Sequence, residues 1–466
     1  MGRLTARWRE LVERTRPVHP GTARALAERW AALPAHVRTP AQVLGRHAVG
    51  CEGTHGVFPR CNLTCSPCYH SADANKVRVD GGHTLREVTA QMALLRRRRG
   101  PYAHAQLIGG EVTLLAPDDH AAALQAMRAA GRSPMSMTHG DVDAGYLRAL
   151  VTGPDGRRRF DRLSFAGHFD SLMRGRRGAV RPRSEAELHP FRQRFVQQFR
   201  DLRAETGLRY HLAHTMTVAP ANLDQVAATV RAVLPMGFSM MSFQPAAHVG
   251  DARRWKESYT EVDADAVWAE LERALGRRVP HEAVEFGDPR CNRLAFGFLA
   301  DGAWHPFVDP ADPAELAARD AFLAHFGGVA FSGTPPVLLA VKVLRVLRHH
   351  PGDVAVALRW ARRVLRRAGG PRRLLTAARA RRLRLMTFEV HSFMDAADVA
   401  PAWALMRRGE VAEEPRLRAT QERLAACTYS MAHPETGELV PACVQHSVLD
   451  PGENARLRRL LPLTPV

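Results

Sequence analysis

The sequence predicts an α/β protein built on a parallel sheet, and two observations lead to this fold class. Between about residues 50 and 260, short apolar runs of strand length alternate with longer segments of helical periodicity. Hydrophobic residues make up 45% of the 466, which is typical of a globular chain. Because strands that alternate with helices form βαβ units, we expect one mostly parallel sheet covered by helices.

Residues 1–48 are predicted to form an N-terminal helical segment that ends in a loop marked by prolines. The first stretch, MGRLTARWRELVERTRP, is charged and amphipathic, and it lacks the apolar centre of a secretory signal. No apolar run approaches the ~20 residues that a membrane-spanning helix needs. We therefore expect a cytoplasmic chain, in which clustered cysteines serve metal or redox chemistry rather than disulfides.

Residues 49–260 are predicted to form the core of the fold. Helical patterns such as HTLREVTAQMALLRRRR and DDHAAALQAMRAAG separate its apolar runs. These runs are AHAQLIGG (103–110), SPMSMTH (133–139), DRLSFAG (161–167), RYHLAHTMTV (209–218) and MMSFQPA (240–246). Residues 261–330 then form a connecting region with Cys291, residues 331–386 a block of basic amphipathic helices, and residues 387–466 a C-terminal extension with Cys427 and Cys443.

Three of the seven cysteines crowd into RCNLTCSPCY (60–69), as Cys61, Cys65 and Cys68. Three thiolates can hold three irons of a [4Fe-4S] cubane and leave the fourth iron open for another ligand. The alternative is a three-cysteine zinc site completed by His70. The aromatic residue Tyr69, directly after the last cysteine, favours the cluster.

A second motif, Gly109-Gly110-Glu111, ends an apolar run about 40 residues after the cysteines. Such a turn after a strand exposes backbone donors and a carboxylate to a small polar ligand. Alone, it is more typical of an ordinary turn between a strand and a helix. The motif therefore indicates a ligand site only in combination with the cysteines that precede it.

Together these motifs resemble the radical S-adenosylmethionine (SAM) superfamily over about residues 50–260. The resemblance implies a partial (β/α)6-type barrel in which the three cysteines bind a [4Fe-4S] cluster and SAM chelates the open iron. Tyr69 would pack near the adenine, and Gly109, Gly110 and Glu111 would hold the methionine end. The family often has proline after this glutamate, where the chain has Val112.

The stretch SFAGHFDSLMRG (164–175) resembles the family's fourth-strand region. Asp170 and Arg174 would then contact the nucleoside or the methionine carboxylate, and the alternative is a surface salt bridge. His139 and Gln244 follow other apolar runs and are weaker substrate-binding candidates. A hydrogen-bonded core histidine is an equally good interpretation of His139. No catalytic residue is assigned.

Four further cysteines remain, namely Cys51, Cys291, Cys427 and Cys443. We predict an auxiliary iron–sulfur or other metal site that contains the last three of them. The alternative is that each is a separate buried hydrophobic residue, and we prefer this interpretation for Cys51.

The C-terminal segments VHSFMDA and ERLAACTYSMAHPETGELVPAC, with GDPRC before them, resemble the tetraether-synthase-like radical enzymes. Some of these relatives join lipid chains and others methylate a pterin. They carry more cysteines than this chain, so the reaction cannot be transferred. His391, Asp395 and His446 match positions of the pattern without an assigned role.

The charge of the basic block indicates which kind of partner the protein binds. Between Val337 and Met386 there are fourteen Arg or Lys residues and one acid, Asp353. On one helix, five arginines share a face opposite an apolar face: Arg359, Arg362, Arg363, Arg366 and Arg367. This split favours an anionic membrane surface. Nucleic acid or a plain solvated face are alternatives, and Trp360 is the single aromatic residue between Val337 and Met386, which disfavours base stacking.

The sequence therefore predicts a cytoplasmic, peripherally membrane-associated radical SAM enzyme. It would cleave SAM with an electron from an external donor of the ferredoxin or flavodoxin type. The deoxyadenosyl radical would abstract hydrogen from an unactivated C–H bond, with a lipid chain as the favoured substrate, for carbon–carbon bond formation or methylation. Alternatives are modification of a peptide or small heterocycle, and a non-catalytic zinc or Fe–S protein that binds nucleic acid.

Overall fold

A computed structural model describes residues 12–13, 15–255, 262–331 and 334–463. Parts of the predicted segments lie outside the described residues. They are residues 1–11 and 14 of the N-terminal segment, residues 256–260 of the predicted core with residue 261, residues 332–333 of the basic block and residues 464–466 of the C-terminal extension.

One sheet of eleven strands organises the described chain. Its strands are β1 (Cys51–Gly53), β2 (Ala103–Leu107), β3 (Arg132–Thr138), β4 (Arg162–His168), β5 (Arg209–Val218), β6 (Met240–Pro245), β7 (Asn292–Ala300), β8 (Ala303–Pro306), β9 (Leu383–His391), β10 (Tyr429–His433) and β11 (Glu438–Pro441). The five apolar runs predicted from the sequence correspond to β2 through β6.

The spatial order is β8-β7-β9-β6-β5-β4-β3-β2-β1-β10-β11. Strands β1 to β6 lie side by side in chain order and are all parallel. Strand β9 joins β6 in parallel, and β10 joins β1 in parallel. Antiparallel strands complete the two edges. The predicted partial (β/α)6 barrel is confirmed, and the C-terminal segment extends the same sheet on both sides.

Helices follow each of the first six strands. They are α2 (Gly81–Arg99), α3 (Pro117–Ala129), α4 (Ala144–Val151), α5 (His189–Thr206), α6 (Val226–Val233) and α7 (Ala264–Leu275). Helix α1 (Pro20–Ala32) precedes the sheet, as the sequence predicts. The remaining helices of more than five residues are α8 (Pro313–His325), α9 (Pro336–His349), α10 (Gly352–Arg367), α11 (Pro371–Arg379), α12 (Ala396–Arg407), α13 (Pro415–Ala425) and α14 (Asp450–Leu460).

The two faces of the sheet differ. Along β2, Ala105 and Leu107 are fully buried in the main hydrophobic core, with residues of the surrounding helices. The residues between them, His104 and Gln106, are only partly buried and face the other way. The sheet curls so that this second face encloses a lumen. The curl brings Cys51 of β1 within electrostatic range of Glu389 of β9, although five strands separate them.

The basic block forms α9, α10 and α11, and its last residues begin β9. Helix α10 packs through Val364 against Phe298. Two of its five predicted surface arginines bind acids of the body: Arg363 binds Asp312 and Arg367 binds Glu315. Arg359, Arg362 and Arg366 are exposed. None of the helices in the described ranges combines the length and apolar character that a bilayer crossing requires.

Candidate active site

The clustered cysteines lie on the loop between β1 and α2, at the carboxyl edge of the parallel strands, where open α/β sheets bind ligands. Inside this loop, Thr64 and Cys65 pair antiparallel with Arg174 and Met173. The pairing fastens the cysteine loop to the segment that follows β4. One short ribbon thus joins two regions that the sequence separates by about a hundred residues.

Burial is the main influence on the three thiols. It raises the pKa of Cys61 to about 12 and that of Cys65 well above its ordinary value, and it also raises the pKa of Cys68. The thiols also act on one another, since Cys68 raises the pKa of both Cys61 and Cys65. All three are therefore close together, and metal binding must displace their protons.

Arg254 is a site residue that the sequence interpretation missed. Its positive charge lowers the pKa of Cys61, Cys65 and Cys68 alike, in opposition to burial. One guanidinium nitrogen donates to the carbonyl of Ser71 at 3.0 Å, while its buried Nε has no partner. No local signal in GDARRW marks this arginine, because the loop after β6 reaches the cysteines only through the fold.

The two glycines of the second motif allow a close approach of backbones. A Cβ on Gly110 would lie 2.1 Å from the carbonyl oxygen of Arg60, and one on Gly109 would lie 2.6 Å from the ring of Phe58. The Gly110 N–H donates to the Phe58 carbonyl at 2.7 Å. The Tyr69 hydroxyl donates to the Gly109 carbonyl at 2.8 Å. The turn is therefore docked onto the cysteine loop at both of the loop's ends.

The Glu111 carboxylate is fully buried and already has protein donors. It accepts from Thr113 N–H at 3.0 Å and from the Thr113 hydroxyl at 2.7 Å, and from the Thr138 hydroxyl at 2.7 Å and the His139 N–H at 2.8 Å. These bonds join the end of β2 to the end of β3. A methionine amine would have to displace one of these donors or bind backbone groups of the turn.

His139 is buried with partners on both ring nitrogens. Its Nε2 contacts Asn62 Oδ1 at 2.8 Å, and the Asp141 N–H donates to its Nδ1 at 3.1 Å. Nε2 is thus the protonated nitrogen, and burial lowers the pKa of the ring. His139 is the hydrogen-bonded histidine that the sequence left as an alternative, and it ties β3 to the cysteine loop.

Asp170 is buried rather than part of a surface salt bridge. It contacts His168 Nε2 at 2.8 Å and accepts the Leu172 N–H at 3.0 Å. Burial opposes its ionisation, but these donors and the His168 charge outweigh burial and lower its pKa. Arg174 is exposed, whereas Arg176 is buried, donates to the His139 carbonyl at 2.7 Å and leaves Nη1 without a partner.

Residues of the C-terminal segment contact the cysteine loop through hydrogen bonds and ring packing. Asp450, the first residue of α14, contacts His70 Nδ1 at 3.2 Å and accepts the Ser71 N–H at 3.3 Å. The His446 ring lies 4.5 Å from the Tyr69 ring, and burial lowers the pKa of His446 to about 3. His446 therefore lies beside the cysteine loop and packs, uncharged, against Tyr69.

Three other sequence candidates lie nearby. Asp395 accepts the His248 N–H at 2.6 Å at the start of α12. Burial lowers the pKa of His391 to about 4, so this ring at the end of β9 is neutral. Gln244 is half-buried near the end of β6. None of these three residues contacts the cysteine loop through a described hydrogen bond.

The residues around the cysteine loop fit a buried cluster with an anionic ligand. Buried polar atoms almost always have partners. Here several are without one, among them His70 Nε2, Ser71 Oγ, Arg176 Nη1, Arg254 Nε and His446 Nδ1. As the side chains stand, no group of three or more His, Cys, Asp or Glu residues in the described chain has the arrangement that holds a metal ion.

The predicted auxiliary cysteines come from three distant segments, and the fold brings them together. Burial raises the pKa of Cys291 to about 11, and Arg423 Nε donates to its sulfur at 3.0 Å. Burial also raises the pKa of Cys443, with further contributions from Cys427 and Cys291. Cys427 donates to the Tyr429 carbonyl at 3.1 Å. Cys51 lies in the lumen, with a pKa raised to about 12, chiefly by burial.

No protein-family model and no curated protein matches the sequence. Solved structures match its fold at low identity. Streptococcus suis SuiB is 13% identical over 49% of this chain and 45% of its own, with a TM-score of 0.31. The anSMEcpe structure with bound AdoMet is 13% identical over 48% and 59%, with a TM-score of 0.32.

Escherichia coli HemN, described as a radical SAM enzyme, is 15% identical over 55% of this chain and 54% of its own, with a TM-score of 0.30. The matched region thus spans about half the length of these proteins. Likeness at this level is too low to assign roles to residues.

Proposed function

We propose that this protein is a radical SAM enzyme. The observation that carries the proposal is the single loop of Cys61, Cys65 and Cys68, whose buried thiols are in electrostatic contact with one another and with Arg254. This loop lies at the carboxyl edge of six parallel strands, beside a Gly-Gly-Glu turn docked onto it. When bound, a [4Fe-4S] cluster and SAM supply reductive cleavage to a 5′-deoxyadenosyl radical.

The side chains of the loop have separate tasks in this proposal. The three cysteines are the protein ligands, and Arg254 offsets the negative charge that thiolates bring into a buried site. Arg176 has a free nitrogen for a carboxylate, which makes it a better candidate for this task than the exposed Arg174. The hydrogen bond from Tyr69 to Gly109 holds the Gly-Gly-Glu turn against the cysteine loop. The contact between Asp170 and His168 joins the segment after β4 to the end of that strand.

The experiment uses the full chain, reconstituted without oxygen with iron and sulfide. We expect about four irons at the first site, absorbance near 400 nm, and 5′-deoxyadenosine from SAM after dithionite reduction. Cys65→Ala should abolish this product. Thr64→Ala, an exposed neighbour on the same loop, should leave it unchanged. A colourless zinc-loaded chain that leaves SAM intact would favour the non-catalytic metalloprotein with a nucleic-acid partner.

We also propose that Cys291, Cys427 and Cys443 form an auxiliary metal site, because Cys427 and Cys291 both act electrostatically on Cys443 and Arg423 binds the sulfur of Cys291. The tetraether-synthase-like pattern of the C-terminal segment supports a lipid chain or another unactivated C–H compound as substrate. Reduction of the first site would need an external one-electron donor. Substrate identity can be sought by comparing lipid and metabolite extracts of wild-type and knockout strains.

A second proposal concerns peripheral association with an anionic membrane. Val337 and Leu344 of α9 are 77% and 65% exposed, and Val354 and Leu358 of α10 are exposed as well. Arg345, Arg348, Arg359, Arg362 and Arg366 are exposed on the same two helices. The one acid of the block, Asp353, forms a hydrogen bond of 2.7 Å between its Oδ2 and His325 Nδ1. Exposed aliphatic residues among arginines, without free acids, suit an anionic lipid surface.

The membrane proposal is tested by co-sedimentation with vesicles of phosphatidylcholine with or without phosphatidylglycerol. Arg359→Glu with Arg362→Glu and Arg366→Glu should weaken binding by about a hundredfold or more, because each basic residue contributes about 1 kcal/mol near such a surface. Leu358→Glu should also weaken it. Val411→Glu, an equally exposed residue outside the block, is the control. Unchanged binding in the triple variant would contradict the proposal.

A further inference from the structure

The lumen of the curled sheet contains a carboxyl group that the site above does not use. Glu389 lies on β9 opposite Ser242 of β6. Its neighbours Phe388 and Val390 are fully buried in the outer core, so Glu389 faces the lumen, where it is only partly buried. The Ser242 hydroxyl is its described hydrogen-bond partner.

Glu389 differs from the buried acids Glu52 and Glu185 because no cation accompanies it, and from the buried Glu111 because its one described donor is Ser242, whereas Glu111 accepts four hydrogen bonds. Glu52 is bound by Arg132 at 2.9 Å, and Glu185 is bound by Arg192 at 2.5 Å. For Glu389, burial raises the pKa to about 7, against the smaller effect of the Ser242 hydrogen bond, and no cation contributes. A carboxylate that ionises near neutral pH in this position lacks a counterion.

The groups that face Glu389 do not supply that counterion. Across the lumen, the Cys51 thiol is protonated at neutral pH because its pKa is raised to about 12. On the same face of β9, His391 is neutral because burial lowers its pKa to about 4. Ser242, on the neighbouring strand, is uncharged. A bound molecule that carries a positive charge would supply this partner.

The other residues that line the lumen include both apolar and polar side chains. Met135, Ala166 and Ala213, from three neighbouring strands, form a small apolar cluster with Met137 and Met240 packed against it. Deeper in the lumen, His104 is neutral, with its pKa lowered to about 4 by burial, and its buried Nδ1 has no hydrogen-bond partner. A plain hydrocarbon chain would pack against the methionines but would leave an ionised Glu389 without a counterion and His104 Nδ1 without a hydrogen-bond partner.

Glu389 also lies at the reactive end of the lumen. Strand register places it level with Ser242, Thr215 and His168 across β6, β5 and β4. His168 contacts Asp170, whose charge acts on the Cys65 thiol. Glu389 therefore lies level with the strand end that His168 and Asp170 connect to the cysteine loop.

We propose that the lumen binds a substrate with a basic nitrogen, such as an amine, an amidine or a nitrogen heterocycle, and that Glu389 holds this nitrogen while the methionine cluster packs on the carbon skeleton. The proposal deepens the proposed function, because it names the substrate class of the same barrel. Glu389 is a binding residue in this role, and it fixes which C–H bond faces the cysteine loop. A substrate without such a nitrogen would bind weakly, since the carboxylate would stay unpaired.

The test uses two probes of equal shape, benzylamine and benzyl alcohol, with the full reconstituted chain and isothermal titration calorimetry. At pH 8 we expect benzylamine to bind at least tenfold more tightly than the alcohol. This preference should fall as pH drops through 7 and Glu389 takes up a proton, and it should vanish in Glu389→Gln. Equal affinities in the wild type, a preference that survives Glu389→Gln, or tighter binding of 1-octanol than of benzylamine would overturn the proposal.

A second variant covers the case in which Glu389→Gln does not fold. Ser242→Ala removes the hydroxyl that lowers the pKa of Glu389, so the pH midpoint of the amine preference should move upward. An unmoved midpoint would show that another group titrates. Probe binding requires neither iron nor SAM cleavage, so its failure would leave the radical SAM proposal standing, and failure of SAM cleavage would leave this one standing.

Discussion

The two groups of cysteines share an electrostatic environment but differ in how the chain builds them. Cys61, Cys65 and Cys68 come from one loop of eight residues, whereas Cys291, Cys427 and Cys443 come from three segments that span more than 150 residues. Burial is the main cause of the raised pKa values of Cys61, Cys65 and Cys68 in the first group and of Cys291 and Cys443 in the second, and in both groups an arginine acts in the opposite direction. Arg254 serves the first group, and Arg423 contacts Cys291 directly.

This difference teaches that a local motif and a dispersed cluster need different support. The first group has its spacing in the sequence, and the fold has only to hold the loop by the docked turn, the ribbon and Asp450. The second group exists only when β7, α13 and β10 are assembled. We therefore expect the first site to bind iron as soon as its loop is in place, and the second to depend on the packing of the whole C-terminal region.

The largest expected effect separates the two groups by removing each in turn. Cys61→Ala with Cys65→Ala and Cys68→Ala should remove about four irons per chain and all 5′-deoxyadenosine production. Cys291→Ala with Cys427→Ala and Cys443→Ala should remove the remaining iron but leave the ~400 nm absorbance of the first site. Iron and sulfide analysis of both variants checks this. Absence of residual iron in the first variant would contradict the auxiliary site.

The next effect concerns the close approach that supports the first group. Gly110→Ala should lower the free energy of unfolding by about 1–3 kcal/mol, because its Cβ would lie 2.1 Å from a backbone oxygen of Arg60. It should also lower iron binding, since the displaced backbone leads directly into Cys61. Urea unfolding and iron analysis measure the two outcomes.

Gly352→Ala is the matched control for Gly110→Ala. A Cβ at Gly352 meets nothing within 4 Å, so stability and iron content should stay as in the wild type. If Gly110→Ala behaves like Gly352→Ala, the turn is not the support of the cysteine loop that its hydrogen bonds indicate.

The smallest expected effect concerns Arg254 and Arg423, the arginines beside the two groups of cysteines. Arg254→Gln removes the cation that lowers the pKa of all three loop thiols, so iron loading of the first site should require a higher pH, by about one unit, or about 1.4 kcal/mol. The sign follows because thiols with a higher pKa release their protons to the metal less readily. Iron uptake followed at 400 nm from pH 6 to pH 9 measures the shift.

Two further variants sharpen this comparison. Arg253→Gln, a neighbour whose charge serves Asp251 and Asp73, should leave the pH dependence of iron uptake unchanged. Arg423→Gln should alter the auxiliary iron but not the first site. An equal shift in Arg253→Gln and Arg254→Gln would mean that overall charge, rather than the position of Arg254, sets the loading pH.

The sequence by itself determined the features that depend on short separations along the chain. Alternating apolar runs predicted β2 to β6 and the helices between them, because strand and helix periodicity are local properties. The spacing of Cys61, Cys65 and Cys68 predicted a metal loop, which stays a prediction, and Gly109 with Gly110 predicted a turn at the end of a strand. These signals need no knowledge of which distant residues meet.

Only the tertiary structure decided which distant groups meet. It placed Arg254 beside the thiols, filled Glu111 with four donors, buried Arg176 instead of Arg174, and brought Cys51 and Glu389 to facing walls of one lumen. It also turned Arg363 and Arg367 of the basic helix toward acids of the body. The physical reason is that burial, charge and hydrogen bonding depend on distance in space, and the curl of the sheet sets those distances.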